Sequence, residues 1–323
     1  MNFLLTEEQT AFAEMASGLF ADFCSDDQLR AHDKSDAPYM QTLWQQCVAS
    51  GLHTILIPES KGGLGLGMTE LMAVLEQQGR ALANVPLWET QVGASALAKF
   101  ADPALSPVIE QVLSGEVLIA LSLEALSQSR GASLQLARSG DNWKLSGVAP
   151  AVPLASAARY ALLAAEAFDG MHLVLIDLQD KGIQMAAGRS QHHQAVADLS
   201  FDALALKAER VLPLTATAWT EQYAIACLAS LQLGVTEQQL KRTVEYVSER
   251  QQFGRVIGSF QLVAGQMADS FTLAEAQEYW RVEHPRLFLT VKDFVPYIVG
   301  YTQMHGRDLL MHGAIDWLAA HDF

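Results

Sequence analysis

Read by the spacing of its apolar residues, the chain changes period twice. Thr6 can cap a helix, and Gln9 three residues on closes a capping box. Behind them Phe12, Met15, Ala16, Leu19, Phe20 and Phe23 recur at helical spacing. Further helices are predicted over Tyr39–Ala49, Thr69–Ala83, Val92–Phe100 and Pro107–Leu113. From Glu116 the pattern turns to strands: Val117–Leu123 as a buried run, then Leu134–Arg138 and Trp143–Gly147 around a Gly140-Asp141-Asn142 hairpin turn. Tyr160–Ala165, His172–Asp177 and Ala197–Asp202 complete the set. Helical spacing returns over about Thr220–Arg250 (Ile225, Leu228, Val235, Val244, Val247) and about Ser259–Tyr279. The expected fold class is α+β. A helical domain over residues 1–115 precedes a small β-barrel or sandwich domain over 116–212 and a helical domain over 213–323.

Composition narrows the partners. The chain has 323 residues, half of them hydrophobic, and a formal net charge of −15. That balance argues against nucleic acid or an anionic membrane surface, although a local Arg can still hold a phosphate. Cys24, Cys47 and Cys227 are few, scattered and without metal-ligand spacing, which fits a reducing, cytoplasmic setting. The first residues carry no basic region or signal-like apolar core. The run Val148–Ala165 is interrupted by Pro150, Pro153 and Arg159, so it does not read as a membrane span.

Two stretches carry candidate chemistry. Gly62-Gly63-Leu64-Gly65-Leu66-Gly67 precedes a helix, as phosphate cradles do, but no strand-to-helix fingerprint surrounds it and no Lys-Ser/Thr follows. A tight turn that lets helices pack closely is the reading it supports. Ser248–Gln261 is richer. Arg250 suits a bidentate grip on phosphate, Phe253 offers a flat face to a ring system, and Gly254 breaks the helix. The same residues also fit an ordinary helix end, with Arg250 complementing the dipole and Gly254 as the left-handed C′ residue.

Glu249-Arg250-x-x-Phe253-Gly254, with Gln261 further on, resembles the helical hairpin of the acyl-CoA dehydrogenase family. Leu5-Thr6-Glu7-Glu8-Gln9 and Gly51-Leu52-x-x-x-Leu56-Ile57-Pro58-Glu59-x-x-Gly62-Gly63-Leu64-Gly65 resemble its N-terminal helical domain, and Gly147 and Leu199-x-Phe201-Asp202 its middle domain. The resemblance spans about residues 1–280. It implies FAD as cofactor and an acyl-CoA thioester as substrate. It also implies that Arg250, Phe253 and Gln261 contact the flavin of a neighbouring subunit.

Elsewhere the chain departs from the family. Ser122-Leu123-Glu124-Ala125-Leu126-Ser127 stands where the family has a Thr-Glu-Pro and a Gly-Ser-Asp turn that hold the flavin ring; Ser122 still offers a hydroxyl there. Ala151 and Pro153 stand near the places of a flavin-flanking Trp and Thr, and neither can supply those contacts. The family's closing four-helix bundle is expected to be truncated, because the match fades after Trp280. His305-Gly306 and His312-Gly313 are the nearest approach to a missing Gln-x-x-Gly-Gly-x-Gly motif. His305 and His312 with Asp308 lack metal-ligand spacing and read as a solvated helix face. The reaction needs a carboxylate to take the α-proton of the thioester. The family's helix position for that base aligns with about Ala224. Glu221 lies one turn earlier, where a favourable dipole charge is the simpler reading, and no catalytic residue is assigned.

Three readings follow. The chain is a subunit of a heteromeric acyl-CoA dehydrogenase that lends part of the FAD site to an acyl-CoA dehydrogenase-like partner. Paired subunits of this kind are known in the family for bulky substrates such as steroid side chains. Alternatively it is a self-sufficient homo-oligomer with a divergent site, or a cofactor-free structural subunit.

Overall fold

The computed structural model describes residues 5–126, 133–191 and 193–283, and of residues 275–283 the helical backbone alone. Helix α1 (Glu7–Phe23) opens on the expected box: the Thr6 hydroxyl accepts the Gln9 N–H and the Gln9 side chain accepts the Thr6 N–H. A second box, Ser25 with Gln28, starts α2 (Asp26–Asp33), a polar helix with no buried residue. Then come α3 (Gln41–Ala49), α4 (Met68–Ala81), α5 (Leu87–Phe100) and α6 (Ser106–Leu113). The glycine-rich loop before α4 folds back on the apolar run Ile55–Ile57. Its Leu64, Gly65 and Leu66 N–H groups donate to the carbonyls of Thr54, Ile57 and Ile55. A Cβ on Gly63 would lie 2.1 Å from the Ile57 oxygen. With those amides spent on the chain itself, the loop is a packing turn.

The middle third is one seven-stranded mixed sheet: β1 (Ile119–Ser122), β2 (Leu134–Ser139), β3 (Asn142–Pro153), β4 (Tyr160–Ala167), β5 (Gly170–Asp177), β6 (Ile183–Arg189) and β7 (Ala195–Leu206). Its order is β1-β4-β2-β3-β7-β6, with β5 also on β4. β2 and β3 meet at the anticipated turn, with Ser139 opposite Asn142. β1 and β4 run parallel, and the strands around them are buried on both faces. In β4, Leu162 and Ala164 join one core with α1 and α3–α6, whereas Ala161, Leu163 and Ala165 join a second core with β2, β3 and β7. Two-sided burial is why these strands read as continuous apolar runs.

α7 (Leu214–Glu249) begins directly after Pro213, six residues before the expected Thr220, and runs for 36 residues. Its N-terminal half packs on α5 and β5, and it lies against α4 at two glycines. A short hairpin, β8 (Gln251–Gln252) and β9 (Arg255–Val256), leads into α8 (Gln261–Glu283). Among the described residues no helix is long and apolar enough to cross a membrane. His305, Asp308 and His312 lie outside the described residues.

Candidate functional site

The stretch singled out from the sequence forms an exposed tip. α7 ends at Glu249, one residue earlier than expected, and Arg250 leaves it in extended backbone. The Arg250 N–H still donates to Tyr246 O, and its carbonyl accepts the Ile257 N–H at 2.8 Å. Gly254 is therefore not the helix-ending residue. It is the second central residue of the β8–β9 turn, with φ +77, and Phe253 is the first, with φ +53. Two successive positive φ values are the pattern of a type I′ turn, whose preferred pair is Asn-Gly. A phenylalanine in left-handed backbone is unfavourable, and this one is also 92% exposed. Among the described residues its ring meets only the edge of Phe260, 6.2 Å between centroids, and the Arg255 guanidinium lies over that second aromatic, 4.0 Å from the Phe260 ring centre. Gly258 lets this loop close onto α7, where a Cβ would sit 2.9 Å from Val247 O. Arg250, Phe253 and Gln261 are thus brought to one end of the molecule, all three exposed.

Ser122 is not brought to that tip. It ends β1 opposite Leu163, half-buried. β1 is tied to α5 through Thr90, whose hydroxyl accepts the Ile119 N–H, and α5 faces the N-terminal half of α7. Cys227 in that half and Arg250 are separated by roughly 35 Å of helix axis. After Ser122, Leu123, Ala125 and Leu126 pack inward against the helical core. Ala151 sits at a bulge of β3 against β7, with φ +46 and its N–H bonded to Asp198 Oδ1 at 2.7 Å. This backbone exposes only a methyl group at Ala151.

One carboxyl escaped the sequence reading. Glu89 on α5 is only 3% exposed, and its Oε2 has no hydrogen-bond partner among the described residues. Thr220, fully buried on α7, has an unpartnered hydroxyl too. Thr220, Ala224 and Cys227 form one buried stripe of α7, while Glu221 is half-buried and off it. Burial pushes the Glu89 carboxyl up to about 7, against smaller opposing effects of its own backbone N–H and the Trp88 side chain. Burial, and then the nearby Glu89 charge, push the Cys227 thiol well above its ordinary value. The only signal in the sequence was a lone acid inside the largely apolar Val85–Val92.

This carboxyl has a pH signature. Its folded pKa is raised from 4.5, so its neutral form is compatible with folding at low pH. That contribution is lost as pH rises through about 7, at a cost of about 3 kcal/mol above it. Glu89→Gln is expected to match the wild type in Tm near pH 4, below the unfolded value of 4.5, and to exceed it above pH 8. A constant difference across pH would show that Glu89 ionises as freely folded as unfolded.

A groove of about 670 Å³ opens between α1, α2, α4 and α7, lined by Phe20, Cys24, Leu82, Arg242 and Tyr246 among others. None of Ser122, Arg250, Phe253 or Gln261 lines it.

Comparison with known proteins bears on the family and the fold. Residues 6–116 match the acyl-CoA dehydrogenase N-terminal domain and residues 218–283 its C-terminal domain. The chain is 30% identical over 296 residues to acyl-CoA dehydrogenase FadE27 of Mycobacterium tuberculosis, covering 89% of this chain and 79% of that one. Among solved structures, the Tcur3481-Tcur3483 steroid ACAD superposes with a TM-score of 0.78 at 33% identity, over 84% of this chain and 74% of that one. The ChsE4-ChsE5 complex from Mycobacterium tuberculosis gives a TM-score of 0.80 at 27% identity, over 90% and 82%. With both terminal domains matched and the helix–sheet–helix order shared, the chain belongs to the acyl-CoA dehydrogenase family.

Proposed function

We propose that this chain is one subunit of a heteromeric acyl-CoA dehydrogenase and lends part of the FAD site to an acyl-CoA dehydrogenase-like partner. The observation that carries the proposal is the hairpin tip. Phe253 is held outward against its backbone preference beside an exposed Arg250 and Gln261, in a chain whose own flavin-side positions are Leu123, Ala151 and Pro153. Arg250 would hold phosphate, Phe253 would cover a ring face and Gln261 would supply an amide. The bound flavin would accept hydride from the β-carbon of the acyl-CoA, and the partner would supply the base. The relatives named as a steroid ACAD and as a two-chain complex support a bulky acyl group and an unlike partner. Division at residues 115/116 and 212/213 belongs to the same proposal.

The self-sufficient reading has one observation in its favour. Glu89, with its raised pKa, faces the α7 stripe that contains Ala224, where the family's helix-borne base would stand.

Flavin absorbance and mass decide between them. A colourless lone chain and a yellow complex with the partner are expected. Arg250→Ala should weaken FAD retention by about 10-fold or more, the worth of one charge-assisted hydrogen bond, without unfolding the chain. A lone chain carrying one FAD per subunit would overturn the shared site and make Glu89 the first base to mutate.

A further inference from the structure

The register of the small hairpin places a second cation in the lent site. Gln251 pairs with Val256 and Gln252 with Arg255. The Ile257 N–H on Arg250 O extends the ladder one step, setting Arg250 opposite Ile257. Residues opposite one another in an antiparallel pair project from the same face, as do residues two apart on a strand. Arg250, Gln252 and Arg255 therefore share one exposed face, with the two arginines as diagonal neighbours about 7–8 Å apart.

Neither guanidinium meets a carboxylate among the described residues, whereas Arg80, Arg159, Arg210 and Arg242 are each paired with one. Two uncompensated like charges this close repel each other, and an anion relieves the repulsion. The chain's net charge of −15 makes the pairing stand out further. The Arg255 Cζ lies over the Phe260 ring, 4.0 Å from its centre. A guanidinium held on an aromatic face still has N–H donors to offer a phosphate.

We infer that Arg255 is a second anion-holding residue of this hairpin. Arg250 and Arg255, with the Gln252 amide between them, close on the two phosphates of a dinucleotide's diphosphate. The inference rests on the shared-flavin reading and assigns its phosphate chemistry.

The test titrates FAD and FMN, which lacks the diphosphate, into the apo-complex with its partner at two salt concentrations. Arg255→Met retains apolar contact with Phe260 and removes the charge. It is expected to weaken FAD about 10-fold, to flatten the salt dependence, and to leave FMN unchanged; Arg255→Lys should recover part of the loss. Wild-type affinity in Arg255→Met alongside lost affinity in Arg250→Ala would overturn the role of Arg255 and leave the shared site standing. Equal weakening of FAD and FMN would also overturn it, as damage to the hairpin. FAD affinity unaffected by both substitutions, or a wild-type complex that binds no FAD, would overturn the shared-site reading and this inference with it.

Discussion

Gly234→Ala is expected to cost the chain about 3 kcal/mol, or roughly 5–10 °C in Tm. Gly234 lies on α7 where a Cβ would be 1.9 Å from Glu76 O and 2.8 Å from Arg80 N of α4. On the other side, a Cβ on Gly79 would be 2.1 Å from Leu231 O. The two backbones touch through paired glycines, and Arg80 clamps the contact by bridging Glu76 and Glu237. Alanine would gain about 1 kcal/mol of helix propensity at an exposed position. Here the neighbour is backbone, which cannot rotate away, so the helices must separate and the buried layer around Leu75 and Leu233 must open. The separation wins over the propensity. Calorimetry of the two proteins checks the sign: a higher Tm for alanine would mean that α4 and α7 are not in backbone contact.

Phe253→Asn is expected to separate folding from cofactor binding. Asn-Gly is the pair a type I′ turn prefers, so the substitution should leave Tm unchanged or slightly higher. Loss of the flat ring should weaken FAD in the complex by about 10–100-fold, the usual worth of one aromatic stacked on a heteroaromatic ring. The residue that suits the turn is thus not the residue present, as the proposed flavin contact would require. A fall of several degrees in Tm would show that Phe253 is packed for stability. Undiminished FAD affinity would show that the ring meets no flavin.

The two predictions bracket what the chain shows in one dimension. Helical and strand periods in the sequence were dense wherever one face of an element is apolar. α1, α3, α4 and the central strands were accordingly legible to within a few residues. α2 was missed because it buries nothing, leaving no period to read, although its Ser25–Gln28 box was there. β6 was missed because it lies largely exposed at the sheet edge. The first six residues of α7 were missed because the expected start followed the periodic residues, whereas the helix starts at the first position Pro213 allows.

The site divides the same way. Arg250 and Phe253 were legible as types suited to phosphate and to a ring, because donor count and ring shape belong to the residue itself; Gln261, Leu123, Ala151 and Pro153 entered only through the family resemblance. Local sequence thus determined the helix–strand–helix order and the residues on which the proposed shared site rests. Tertiary structure decided the turn that points Phe253 outward, the shared face of Arg250 and Arg255, and the backbone contact at Gly79 and Gly234. It also decided the burial of Glu89, a side chain that reads as surface until α7 covers it. Each of these depends on distances between segments remote in the chain or on strand register, which the order of residues constrains only through packing of the whole.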